Sequence, residues 1–147
     1  MNREGRLETI EFDDGSWPVV KITYDKQVDE DEFEELLDRV AATQARALGE
    51  GRQIALIYDA SKGYSASARI RKRQAQWIEE HKDATRVACA GIAFVIDSVV
   101  VRGVLTAILW MSELNAPHKV FATSEAANAW ALDCTQTAPR IEQAKHG

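Results

Sequence analysis

Two uninterrupted apolar runs, each ending in an aspartate, constrain this chain most. Ile54-Ala55-Leu56-Ile57-Tyr58 stops at Asp59, and Val87 to Ile96 stops at Asp97. Runs without polar alternation read as strands covered on both faces, the pattern of a parallel sheet between helical layers. The wider stretch from Val87 to Met111 invites a membrane reading. Asp97, Ser98 and Arg102 near its middle would be costly in lipid, and it divides there into a β-branched run and a helical run. No membrane span is expected.

The segments around these strands have clear periods. Leu7 to Phe12 alternates loosely and reaches Asp13-Asp14-Gly15-Ser16, whose Asp-Gly pair predicts a hairpin returning through Trp17 to Tyr24. Asp29 to Leu48 predicts an amphipathic helix with Phe33, Leu36, Leu37, Val40, Gln44, Ala47 and Leu48 on one stripe. Acidic residues crowd its start, Arg46 lies in its last turn, and Gly49 and Gly51 stop it. A second helix is expected from Ser65 to His81, carrying Ala66, Ile70, Trp77, Ile78 and His81 along one side. Ser98 or Asp97 caps a third, Val99 to Leu114. After Asn115-Ala116-Pro117, a short strand from His118 to Ala122 leads to a last helix through Leu132, capped by Thr123 or Ser124.

The order ββαβαβαβα implies an α/β fold: a mixed, mostly parallel five-stranded sheet with an N-terminal β-hairpin and four helices. With 147 residues, 46% of them hydrophobic and 28% charged, the chain can bury one core. The expected division is a single domain over residues 1–134 and a polar tail over 135–147. Cys89 and Cys134 sit in apolar surroundings without a Cys-x-x-Cys spacing and read as reduced core residues. The start, Met1-Asn2-Arg3-Glu4-Gly5-Arg6, has no apolar h-region, so a cytoplasmic location is expected.

Element order and two local patterns carry a family resemblance. One is the apolar strand ending in Asp59, followed by Ala60-Ser61-Lys62-Gly63 and a helix. The other is Val120-Phe121-Ala122-Thr123-Ser124-Glu125-Ala126-Ala127-Asn128-Ala129-Trp130, a short strand feeding a capped, Ala-rich helix. Over about residues 7 to 133 the chain resembles the STAS family of anti-sigma-factor antagonists, particularly its SpoIIAA-like branch. The resemblance implies a single-domain STAS-like sandwich without catalytic activity. It implies protein partners, a phosphoacceptor serine at the second helix or, in some branches, small apolar or nucleotide ligands.

The family's phosphoacceptor motif reads Asp-Ser-Ser-Gly or a close relative. Here the stretch is Gly63-Tyr64-Ser65-Ala66-Ser67-Ala68, without that Asp and Gly. Ser65 and Ser67 match by position and type, and Ser61 is a third candidate. A phosphate on Ser65 would meet a helix N-terminus, with Arg69 one turn on. The bland alternative is that Ser65 caps the helix.

Charge is asymmetric within a formal net of −5. Residues 62–86 hold seven bases against three acids, and residues 1–40 hold thirteen acids against five bases. Arg69, Lys72 and Arg73 are therefore candidates to bind an anion or a protein partner, such as a kinase or regulator. The negative total and the lack of interleaved aromatics speak against nucleic acid. The acidic run Asp29-Glu30-Asp31-Glu32 lacks the glycine and alternating oxygens of a calcium loop, so no metal site is assigned. Asp59 and Asp97 lie where open α/β sheets bind ligands, and a hydrolase-like enzyme built on them is the third reading. No catalytic motif supports it, and no cofactor is expected.

The helix from Val99 to Leu114 leaves almost no polar face. A sheet covers only one side of a helix, so a homodimer is expected, with Val101, Leu105, Leu109 and Trp110, together with Met111, in or near the interface. Cover by neighbouring helices and contact with a lipid surface are the alternatives. A second functional reading is a small apolar or anionic ligand held between this helix and the one before it, with Trp77, Trp110 and Tyr64 as walls.

Overall fold

A computed structural model describes residues 9–139. The elements are β1 (Ile10–Ser16), β2 (Val19–Tyr24), β3 (Lys26–Gln27), α1 (Glu30–Glu50), β4 (Ile54–Asp59) and β5 (Tyr64–Ser65). Then come α2 (Ala68–Glu80), α3 (Lys82–Ala88), β6 (Cys89–Val95), α4 (Val99–Met111), β7 (His118–Phe121) and α5 (Ser124–Thr137). The main sheet has the order β1-β2-β4-β6-β7, antiparallel at β1 and parallel elsewhere. The mixed, mostly parallel five-stranded sheet is as the sequence implies. No described helix is long and apolar enough to cross a membrane.

Strand alternation splits the core into two layers. Ile22, Ile54, Leu56 and Ile92 turn toward α1, α2 and α4, with Phe33, Leu36 and Val40 of α1 packed over them. Val19, Ala55, Ile57, Ala93 and Val95 turn the other way, onto Ala127 and Ala131 of α5. Small side chains on that second face let α5 lie close. At Gly91 a Cβ would stand 2.8 Å from both the Trp130 ring and Cys134 Sγ, so these two groups occupy the space a side chain would need.

Several boundaries differ from the sequence reading. The hairpin turn falls at Trp17–Pro18 rather than at Asp14-Gly15, because the Asp13 carboxylate accepts from Gly15 N–H and the ladder is irregular between Asp13 and Ser16. There are five helices, not four. Residues 82–88, read partly as strand, form α3, whose end is closed by a bond from Cys89 N–H to the Thr85 carbonyl. Arg46 is not in the last turn of α1, which continues to Glu50; its guanidinium lies over the Trp17 ring at 3.7 Å. Gly51 closes α1 in the left-handed region at φ 68°. The last helix runs past Leu132 to Thr137. The expected start of the first strand at Leu7 lies outside the described residues, as do residues 140–147.

Candidate functional site

The loop after β4 and the cleft beneath it share one rim. Asp59 is buried and serves the loop: its Oδ1 accepts from Ser61 N–H at 2.9 Å and from Ser61 Oγ at 2.6 Å, and its Oδ2 lies 3.6 Å from Lys21 Nζ. That is a holding arrangement. Asp97 is exposed, and Ser98 rather than Asp97 caps α4.

The candidate serines have different surroundings. The helix predicted to begin at Ser65 begins at Ala68, because Tyr64–Ser65 pairs with Lys26–Gln27 as a second small sheet and the Ser65 carbonyl accepts from Val28 N–H. Ser67 is the N-cap, its Oγ accepting from Ile70 N–H at 3.1 Å and donating to Glu30 Oε2 at 3.2 Å. Ser61, Ser65 and Ser67 are all exposed.

The basic helix meets the acidic start of α1. Arg69 lies 3.4 Å from Glu30, and Arg73 lies 2.9 Å from Glu34 and 3.6 Å from Glu80. The charge asymmetry read along the chain is thus partly paired within it. Lys72 remains exposed.

Behind this rim, a cleft of about 790 Å³, part of it open solvent, lies between the sheet and the helices α1, α2 and α4. One wall is aromatic. Tyr24, Tyr58 and Phe94 stand side by side at the carboxyl ends of β2, β4 and β6, with centroids 6.3 and 5.7 Å apart. Tyr64 meets Tyr24 edge-on at 4.8 Å. Trp77 contributes from α2, and Val104, Leu105 and Leu109 from α4. Tyr64 and Trp77 are walls, as the sequence suggested, but Trp110 is 86% exposed and is not one. None of the lining residues is an acid, a base or a histidine. No side-chain charge in this lining would pair with an anion.

Gln44 was legible only as a polar residue on an apolar stripe, and it lines this cleft. It is 2% exposed, and its Nε2 donates to Thr85 Oγ1 at 3.0 Å and toward Cys89 Sγ at 3.8 Å. Its Oε1 is buried without a hydrogen-bond partner among the described residues.

Burial pushes the phenols and the thiol here toward their neutral forms. Tyr24 and Tyr58 are raised by desolvation, Tyr64 is pushed up to about 12 mainly by burial, and Cys89 to about 12 by burial against an opposing Gln44 hydrogen bond. Each group binds its proton more tightly folded than unfolded, so its contribution is complete below the ordinary values of 9.0 for Cys and 10.0 for Tyr. It is lost as pH rises through the folded values. Denaturant midpoints are expected to hold up to about pH 9 and to fall between about 9 and 12. Midpoints constant to pH 12 would contradict this.

The mixed sheet with its hairpin edge carries four helices on one face and one on the other. A SpoIIAA-like family model matches residues 19–132, and the chain belongs to the SpoIIAA-like family. An uncharacterised DUF3478-family protein with a SpoIIAA-like fold, from Shewanella loihica PV-4, is similar at TM-score 0.59 and 10% identity. The alignment covers 88% of this chain and 99% of that one. Apo-SiaC from Pseudomonas aeruginosa is similar at TM-score 0.54 and 12% identity, over 83% of this chain and 98% of that one. These likenesses show the fold. No curated protein matches the sequence significantly.

Proposed function

We propose that this chain is a non-enzymatic interaction domain of a regulatory system, a homodimer that meets a protein partner along the rim from Ser61 to Arg73. The outward face of α4 carries the proposal. Val99, Val100, Trp110 and Met111 are 88%, 76%, 86% and 54% exposed. At 100° per residue they share one stripe with Gly103 and Ala107, which sit between them and are also exposed. Large apolar ends around a small-residue middle let two helices cross closely, and a twofold contact brings the same stripe from each copy. The interface expected from sequence moves accordingly. Val101 is 6% exposed and packs inside its own chain, and Leu105 and Leu109 wall the cleft, so only Trp110 of the four keeps its place.

Ser67 is the serine best placed for regulation. A phosphate there would add nearly two negative charges at the N-terminus of α2 and compete with Glu30 for Arg69. On Ser61 it would face the buried Asp59 carboxylate instead. Phosphopeptide mapping of protein from its own host is expected to find phosphate on Ser67. A fully covered, unmodified 61–73 segment across growth conditions would remove phosphorylation from the account.

A further inference from the structure

We infer that Lys21, on the face of the sheet away from the cleft, positions the rim loop 60–63 through the buried Asp59 carboxylate. The inference rests on the reading of the rim from Ser61 to Arg73 as a partner surface, and it adds the residue that sets the first turn of that rim. β2 and β4 run in parallel register, with Lys21 opposite Ile57 and Thr23 opposite Asp59. Alternation therefore turns Lys21 and Asp59 to the side that α5 covers, the side of Val19, Ala55 and Ile57. There Lys21 Nζ lies 3.6 Å from Asp59 Oδ2 and donates to Ser124 Oγ, in the first turn of α5, at 2.8 Å. The other carboxylate oxygen accepts from both Ser61 N–H and Ser61 Oγ. The turn is closed by Gly63 N–H donating to the Ala60 carbonyl at 3.0 Å.

Charge makes these contacts one unit. Asp59 is 6% exposed, and a buried carboxylate stripped of its cation is left with an uncompensated charge. Among the described residues, Lys21 is the cation within 4 Å of it. Asp13, directly opposite Lys21 in β1, accepts from Gly15 N–H in its own turn. Without Lys21, the least costly relief for Asp59 is hydration from the loop side. Ser61 is exposed there, whereas the strand that carries Asp59 is held in ladders with β2 and β6. Water entering at Ser61 opens the turn that presents the rim. Lys21 thus acts on the partner surface through Asp59, as a positioning residue.

Native-state amide exchange of the full chain, followed by NMR without any partner, reads the effect at single residues. In Lys21→Met, the ratio of the Ser61 exchange rate to that of Leu56, in the buried middle of β4, is expected to rise about tenfold or more. Lys21→Arg keeps the cation and should keep the protection. Lys21→Met combined with Asp59→Asn should restore it, because a neutral amide oxygen still accepts from Ser61 and no charge is left to hydrate. A Ser61 rate unchanged in Lys21→Met, or a loss of protection shared equally by Leu56, would overturn the inference. So would an unprotected Ser61 amide in the double variant, a result that stands even if Lys21→Met alone fails to fold. Because no partner enters the measurement, its outcome is separate from that of the partner reading of the rim.

Discussion

Ala107→Glu is expected to give a well-folded monomer. Ala107 is exposed in the middle of α4, and glutamate is a good helix former, so the fold should change by no more than about 0.5 kcal/mol. Across a twofold contact the same substitution sets two carboxylates against each other inside an apolar stripe. Like charges so placed cost several kcal/mol, which weakens the dimer by about 100-fold or more. Leu105→Glu would be a poorer test, because Leu105 walls the cleft and a carboxylate there would be buried unpaired. Sedimentation equilibrium on Ala107→Glu reads the effect directly. An unchanged dimer would exclude this face.

Gly91→Val should produce the largest loss of stability. Any side chain at position 91 enters space held by Trp130 and Cys134, at distances that real Cβ atoms do not reach. The ring is clamped between the sheet and α5, with Phe121 at 5.6 Å, so relief requires α5 to lift from β4 and β6. The expected cost is about 3 kcal/mol, at the upper end for overpacking. In a chain of this size, that lowers Tm on the order of 10 °C. Gly49→Ala is the contrasting change. Gly49 is helical and exposed, with nothing within 4 Å of a Cβ, so alanine should stabilise by up to about 1 kcal/mol. A Gly91→Val protein melting within 2–3 °C of the original, roughly the effect of a surface change, would mean that α5 does not press on the sheet as described.

What the sequence made legible followed from strong periods. The run ending at Asp59 has one reading as a doubly covered strand, and the stripe of α1 is regular from Phe33 to Ala47. The α3 helix was hidden because it is only seven residues long and directly abuts β6, so its period blends into the strand's apolar run. The β3–β5 ladder has two residues on each side, too few for alternation to register, yet it moves the start of α2 from Ser65 to Ala68. That shift decides which serine caps the helix.

The site was less legible than the fold because its contacts are long-range. Glu30 and Arg69 are 39 positions apart, as are Glu34 and Arg73, and composition shows only that one segment is acidic and another basic. The signal for Gln44 was present as an amide on an apolar stripe. Its meaning needed the neighbours that α3 and β6 supply, Thr85 and Cys89. The direction of α4 was likewise ambiguous. A helix apolar all round does not say which side the sheet takes, and packing Val101 and Ile108 inward turns Val99, Val100 and Trp110 outward.

The most direct test of the central claim is the molar mass of the unmodified protein by light scattering over a range of concentrations. The exposed stripe on α4 predicts about twice the 16.4 kDa chain mass, falling to one chain mass only on dilution. A mass of 16.4 kDa at every concentration would contradict the dimer and with it the role given to this face.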